Sequence, residues 1–173
     1  MTQHPQTPAG SAPTGQAAQP RLMIQTQYVK DLSFENPRAP ASLESGQGRP
    51  EIAVRVDVRA QPFAEDRYEL ALHLNVDAKA GGETTFVLEL TYAGIFALVD
   101  IPPESRQPIL LIECPRLLFP FARRIVADAT RDGGFPPLMI DPIDFVALYR
   151  RRQQQGQAPE QAQGNGRPVT GEA

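Results

Sequence analysis

The 173-residue sequence has one cysteine, Cys114, two histidines and no tryptophan. A lone cysteine excludes an intrachain disulfide and makes a reducing compartment the expected setting. His4 sits in a polar N-terminal stretch and His73 on the polar side of a strand pattern. One usable histidine and one cysteine cannot build a zinc site of the usual ligand types. A basic excess is missing as well: the net charge is -3, where a duplex binder carries a positive footprint, so no nucleic acid partner is expected. No run reaches the roughly 18 apolar residues of a spanning helix, so no membrane insertion is expected; the longest runs are Gly94 to Val99 and Ile109 to Ile112. Met1 to Pro20 has neither the basic start nor the apolar centre of a signal peptide, and a cytoplasmic location is expected. A phosphate loop is absent too, because Gly81-Gly82 leads into Glu83-Thr84 and opens a strand. The carboxylates are scattered, and Cys114 before Pro115 reads as a small buried residue at a helix start rather than a nucleophile. Together these absences predict a protein that is not an enzyme and holds no cofactor or metal.

What is present is a core. Hydrophobic residues make up 41% of the chain, enough for one domain, while 18 prolines and 13 glycines imply long irregular stretches. Two such stretches are expected to be disordered tails, residues 1–21 and 153–173, both rich in Gln, Gly and Pro and poor in large apolar groups. The domain between them is expected over 22–152.

That domain opens with strands. Ile24, Thr26, Tyr28, Lys30, Leu32 and Phe34 fall on one parity, which predicts a first strand with those side chains on one face. A Pro/Gly-rich connection, Asn36 to Pro50, is long for a hairpin and carries the chain elsewhere. Ile52, Val54, Val56 and Val58 then alternate with polar or small residues, and Tyr68, Leu70, Leu72, Leu74 and Val76 do so more strictly. Such alternation buries one face and solvates the other, as in an antiparallel sheet. After the Gly81-Gly82 turn a fourth strand runs from Thr84 to about Val99, with Phe86, Leu88, Leu90 and Tyr92 on one face. Beyond Pro115, Leu118, Phe121, Ala122, Ile125, Val126 and Ala129 follow helical spacing; the regular helix is expected to begin near Pro120 and to stop at Gly133-Gly134. A last helix is expected from Asp141 as N-cap, with Pro142 at its first position, to about Arg152. The fold class is α+β, a four-stranded antiparallel sheet followed by two helices. Aromatic residues exceed what one sheet face needs, and Phe135, between Gly134 and Pro136-Pro137, is placed where a binding surface would have it.

Five segments, in order and at matching separations, resemble the SecB family of protein-export chaperones. They are Tyr28-x-Lys30-Asp31-x-Ser33-Phe34-Glu35-x-Pro37, Tyr68-Glu69, Glu83-Thr84 with Phe86-x-x-Glu89 through Gly94-Ile95-Phe96, Cys114-Pro115 with Leu118 to Arg123, and Arg131-x-Gly133-x-Phe135-Pro136 followed by Leu138, Pro142 and Phe145. The likeness covers about Ile24 to Tyr149. It implies a homotetramer, a dimer of dimers, with oligomer contacts on the parity of Leu88, Leu90 and Tyr92. It implies that Asp31, Glu35, Val87 and Glu89 meet the motor ATPase SecA through an acidic sheet face. It also implies apolar grooves that hold non-native secretory precursors without ATP, with Val54, Val56, Val58, Phe135, Phe145, Leu148 and Tyr149 as the lining expected here. Two features depart from the family. The last helix ends in Arg150-Arg151-Arg152 and the tail is Gln-rich where the family is often acidic, and the N-terminal tail is longer. A hotdog-type thioesterase or an acyl or lipid carrier would also use a sheet with a long helix, but Pro115 to Phe121 supplies only apolar groups and Arg116 at the helix start.

Overall fold

Alternating strands without a second sheet to pack on need helices to cover their apolar face, and this chain supplies one long helical rod for that purpose. The computed structural model describes residues 19–44 and 49–156. The strands β1 (Arg21–Glu35), β2 (Glu51–Ala64), β3 (Arg67–Ala80) and β4 (Glu83–Val99) form one antiparallel sheet in the order β1-β4-β3-β2. The Asn36 to Pro50 connection is long because it must cross from one edge of the sheet to the other. Both hairpins turn on positive backbone angles: Gly81 and Gly82, with φ of 59° and 84°, join β3 to β4, and Asp66, with φ of 52°, joins β2 to β3.

The parity expected for β2, β3 and β4 holds. Leu70, Leu72, Leu74 and Val76 are each 0% exposed, and Val76, Leu74 and Leu72 pair directly with Leu88, Leu90 and Tyr92. The parity expected for β1 does not hold along its length. The register against β4 slips at Gln25 and again at Lys30, and each bulge turns the following residues to the opposite face. Leu22, Ile24, Gln27, Val29, Leu32 and Phe34 therefore lie on the helix side, opposite Leu98, Phe96, Gly94, Tyr92, Leu90 and Leu88, while Thr26, Tyr28, Asp31 and Glu35 lie on the outer side.

The rod begins earlier than Pro120. Helix α1 (Pro103–Pro108), a π-helical turn (Ile109–Glu113) and helix α2 (Cys114–Asp132) follow without a break. A proline inside a helix costs about 3 kcal/mol, yet Pro108 and Pro120 are both accommodated. The reason is the buried series at every fourth position, Leu110, Cys114, Leu118, Ala122, Val126 and Thr130, laid on the sheet. Several side chains of this kind at about 1.5–3 kcal/mol each outweigh the lost hydrogen bonds. Gly94 allows the close approach, since a Cβ there would meet Leu118 Cδ2 at 3.1 Å.

The rod stops as expected at the glycine pair. Gly134, with φ of 88°, takes the left-handed position, Gly134 N–H donates to Arg131 O at 3.0 Å and Phe135 N–H to Thr130 O at 3.1 Å, which is a Schellman cap. The last helix, α3 (Phe145–Gly156), starts three residues later than Asp141 and Pro142 suggest. Asp144 is the cap instead, its Oδ1 accepting from Ala147 N–H at 2.9 Å. Gln153 to Gly156 continue the helix past the expected tail boundary. The rest of the two tails, residues 1–18 and 157–173, lies outside the described residues. No helix among them is long and apolar enough to cross a membrane.

Thr130 fixes the loop between the helices. Its hydroxyl is fully buried, donates toward Val126 O and Ala127 O, each at 3.0 Å, and accepts from Leu138 N–H at 2.9 Å. Replacing Thr130 by the isosteric valine leaves the Leu138 amide without its acceptor and is predicted to cost about 1–3 kcal/mol. Urea denaturation measures that loss, and hydrogen exchange at Leu138 should speed up while the sheet core stays protected.

Candidate functional site

Three surfaces gather the candidate residues, and the first is the outer face of the sheet. Glu35 pairs directly with Val87, Asp31 with Thr91 and Ser33 with Glu89, so Asp31, Glu35, Val87 and Glu89 share that face near its β1 edge. Among the described residues Asp31, Glu35 and Glu89 have no ion-pair partner. The remainder of the face is neutralised by pairs: Lys30 with Glu69 at 2.9 Å, Arg59 with Asp57 at 2.9 Å and Arg55 with Asp77 at 2.6 Å. Three unpaired carboxylates are therefore grouped on the β1 side of this face.

Glu69 is the hub of this face. It is 8% exposed and accepts from the Tyr28 hydroxyl, from Lys30 Nζ and from Gln61 Nε2, tying β1, β2 and β3 together across β4. The Tyr28 hydroxyl, then the Lys30 ammonium, hold its carboxyl below the usual carboxylate range. The same bond, with burial, pushes the Tyr28 phenol up to about 12. His73 stands beside the hub, its Nδ1 3.0 Å from Thr91 Oγ1, and burial followed by the nearby Arg59 charge depresses its pKa.

The second surface is a pair of depressions. Val56, Val58, Leu148 and Tyr149 come together in a groove of about 410 Å³ between β2 and α3, with Leu111 of the π-helical turn as a further apolar wall. Phe135 lines a different depression of about 480 Å³, with Leu43, Pro136 and Thr85, whose buried hydroxyl has no hydrogen-bond partner among the described residues. Behind it Phe135 packs on Phe86 at 4.9 Å and on Phe34 at 6.3 Å between ring centres. Two expected lining residues belong to neither depression. Phe145 is 1% exposed and packs edge-on to Phe119, so it is core and has no surface to offer. Val54 is half-exposed on β2 but outside the groove. Sequence reasoning missed Leu43 and Leu111. Leu43 was detectable as the lone large apolar residue of a polar connection, and Leu111 as part of the apolar run before Cys114.

The third surface is apolar. Leu88 and Leu90 are 0% and 1% exposed, buried in this chain's own core, and have no area left for a second chain. Tyr92 reaches the edge of the core, where its ring stacks on Phe121 at 6.4 Å between centres. Around it Ile24, Val29 and Leu32 of β1 and Leu117 and Phe121 of α2 remain exposed at 36–46%.

Burial, and secondarily Glu113, push the Cys114 thiol up to about 12, so it stays protonated at neutral pH. Among the described residues no group of three or more His, Cys, Asp or Glu could hold a metal.

A four-stranded antiparallel sheet with helices on one face is the fold this chain shares with a SecB-like chaperone. The Mycobacterium tuberculosis SecB-like chaperone solved with a ChAD peptide from the HigA1 antitoxin superposes with a TM-score of 0.60 over 71% of this chain and 91% of that one, at 16% identity. The family model for preprotein translocase subunit SecB matches residues 15–156, and the chain belongs to the SecB family. Relatives named protein-export protein SecB include one from Rhodopseudomonas palustris, strain HaA2, 52% identical over 87% of this chain and 98% of its own. Another, from Maricaulis maris, is 51% identical over 98% of each chain. The family places the chain with export chaperones and displaces the thioesterase and acyl-carrier readings.

The Glu69 hub has a predictable pH signature. Its depressed pKa contributes stability that is complete above the ordinary carboxylate value of 4.5 and is lost as pH falls through the folded value. The raised Tyr28 pKa contributes stability that is complete below 10 and is lost as pH rises through about 12. Glu69→Gln should be less stable than the parent by about 1.5–3 kcal/mol at pH 7, and the gap should narrow as pH falls below 4.5. Denaturation midpoints measured from pH 3 to 8 check this; a gap that stays constant would rule the hub out as its source.

Proposed function

We propose that this protein holds non-native secretory precursors in its two apolar depressions without ATP and delivers them to the SecA motor, acting in the cytoplasm as a dimer of dimers. The observation that carries the reading is the pair of open apolar depressions on a chain whose relatives are export chaperones. Each depression offers a few apolar contacts, and contacts of a few kcal/mol give only about millimolar affinity. A long unfolded chain that occupies several depressions on several subunits binds far more tightly through effective concentration, and no single sequence is required. Delivery is supported by the uncompensated Asp31, Glu35 and Glu89 around Val87, which would steer a basic surface of the motor to this half of the sheet. Assembly is supported by the exposed Val29, Leu32, Leu117 and Phe121, an apolar patch of the kind that marks a protein contact. Tyr92 supports it by stacking on Phe121 at the edge of this patch.

Purified protein should suppress aggregation of a denatured precursor without nucleotide, and Tyr149→Ser with Phe135→Ser should weaken that binding tenfold or more at an unchanged oligomeric mass. Absence of binding to every unfolded chain tried would remove the chaperone reading. Glu35→Lys with Glu89→Lys should weaken SecA binding and leave both precursor binding and assembly intact. Val29→Asp with Phe121→Asp should lower the mass seen by light scattering; a monomeric parent protein would remove the assembly proposal.

A further inference from the structure

The groove between β2 and α3 carries a charge that its apolar lining does not need. Arg151 and Arg152 form one side of it, and neither has an ion-pair partner among the described residues. The carboxylate of Asp57, on the opposite side, is held by Arg59 Nε at 2.9 Å. Cations suit the C-terminal end of a helix, but the last turn of α3 lies beyond Arg152 and holds no basic residue, so the dipole does not account for them. Nor does it account for where Arg152 points. Its Nη1 donates to Val58 O at 2.6 Å, a partner 94 residues away on β2, so the side chain is drawn across the groove instead of back to its own helix. A guanidinium has five N–H donors, and the Val58 carbonyl engages Nη1. The carbonyl thus orients the group and leaves the rest of its fork for an acceptor that arrives with the client.

We infer that this groove selects unfolded segments in which apolar residues stand next to an aspartate or glutamate, with Arg152 and Arg151 as the selecting groups. The inference rests on the proposed role of the groove as a client site. The apolar residues of such a segment would seat against Val56, Leu111 and Leu148, and the neighbouring carboxylate would meet the oriented guanidinium. A lysine at the same place would meet two cations that no described carboxylate pairs.

The test uses the full chain and three fluorescent peptides of one apolar sequence, flanked by glutamate, glutamine or lysine. The glutamate peptide is expected to bind roughly fivefold more tightly than the glutamine one, as a partly exposed ion pair permits, and the lysine peptide more weakly than both. In Arg151→Gln with Arg152→Gln the three affinities should converge on that of the glutamine peptide for the parent protein. Equal affinities in the parent, or an advantage that survives in the double variant, would overturn the selection while leaving the client reading in place. Failure of all three peptides to bind would overturn the client reading and the selection with it.

Discussion

The burial of one sheet face under a continuous helical rod is the interaction on which everything else depends. Leu70, Leu72, Leu74 and Val76 of β3, with Leu88, Leu90, Phe96 and Leu98 of β4, present an unbroken apolar floor, and the fourth-residue series from Leu110 to Val126 closes over it. Strands alternate strictly, so committing one parity to this interface commits the other to the outside. The acidic half of the outer face and the apolar floor beneath the rod are therefore two results of one packing decision. The depressions arise where the rod and its following loop and helix fail to cover the sheet completely, at β2 on one side and around Phe135 on the other.

Charge on the outer face is organised by what is cancelled. Lys30 would offset the carboxylates near β1, but its bulged position lets Glu69 hold it. Glu69 can be nearly buried because three donors surround it, and a buried carboxylate with fewer partners would be costly. One satisfied network thus ties β1 to β3 and also occupies a cation that would otherwise blunt the neighbouring acidic patch.

Much of this was legible in the chain itself, for a physical reason that also marks the limit. The faces of β2, β3 and β4 follow from period-2 alternation, and the end of α2 follows from Gly133-Gly134, where a left-handed backbone is required. The grouping of Val56, Val58, Leu148 and Tyr149, and the shared face of Asp31, Glu35, Val87 and Glu89, were also accessible. The bulges at Gln25 and Lys30 were not, because a bulge depends on the partner strand and leaves the local composition unchanged. The early start of the rod was hidden by Pro108, Pro115 and Pro120, whose local cost is overridden by long-range burial. Phe145 was misassigned to the groove because an aromatic residue at a helix start has the same pattern in a core as on a surface.

The two bulges of β1 have a consequence for how this chain can vary over generations. In an ordinary loop a residue gained or lost is absorbed where it occurs. Loss of one residue at Gln25 or at Lys30 can likewise be taken up by that bulge, which gives up its extra residue and straightens into the regular ladder, leaving Tyr28 on the outer face and Val29 on the helix side. The bulges are therefore the places in β1 where the chain can shorten by one residue without exchanging the faces of the strand.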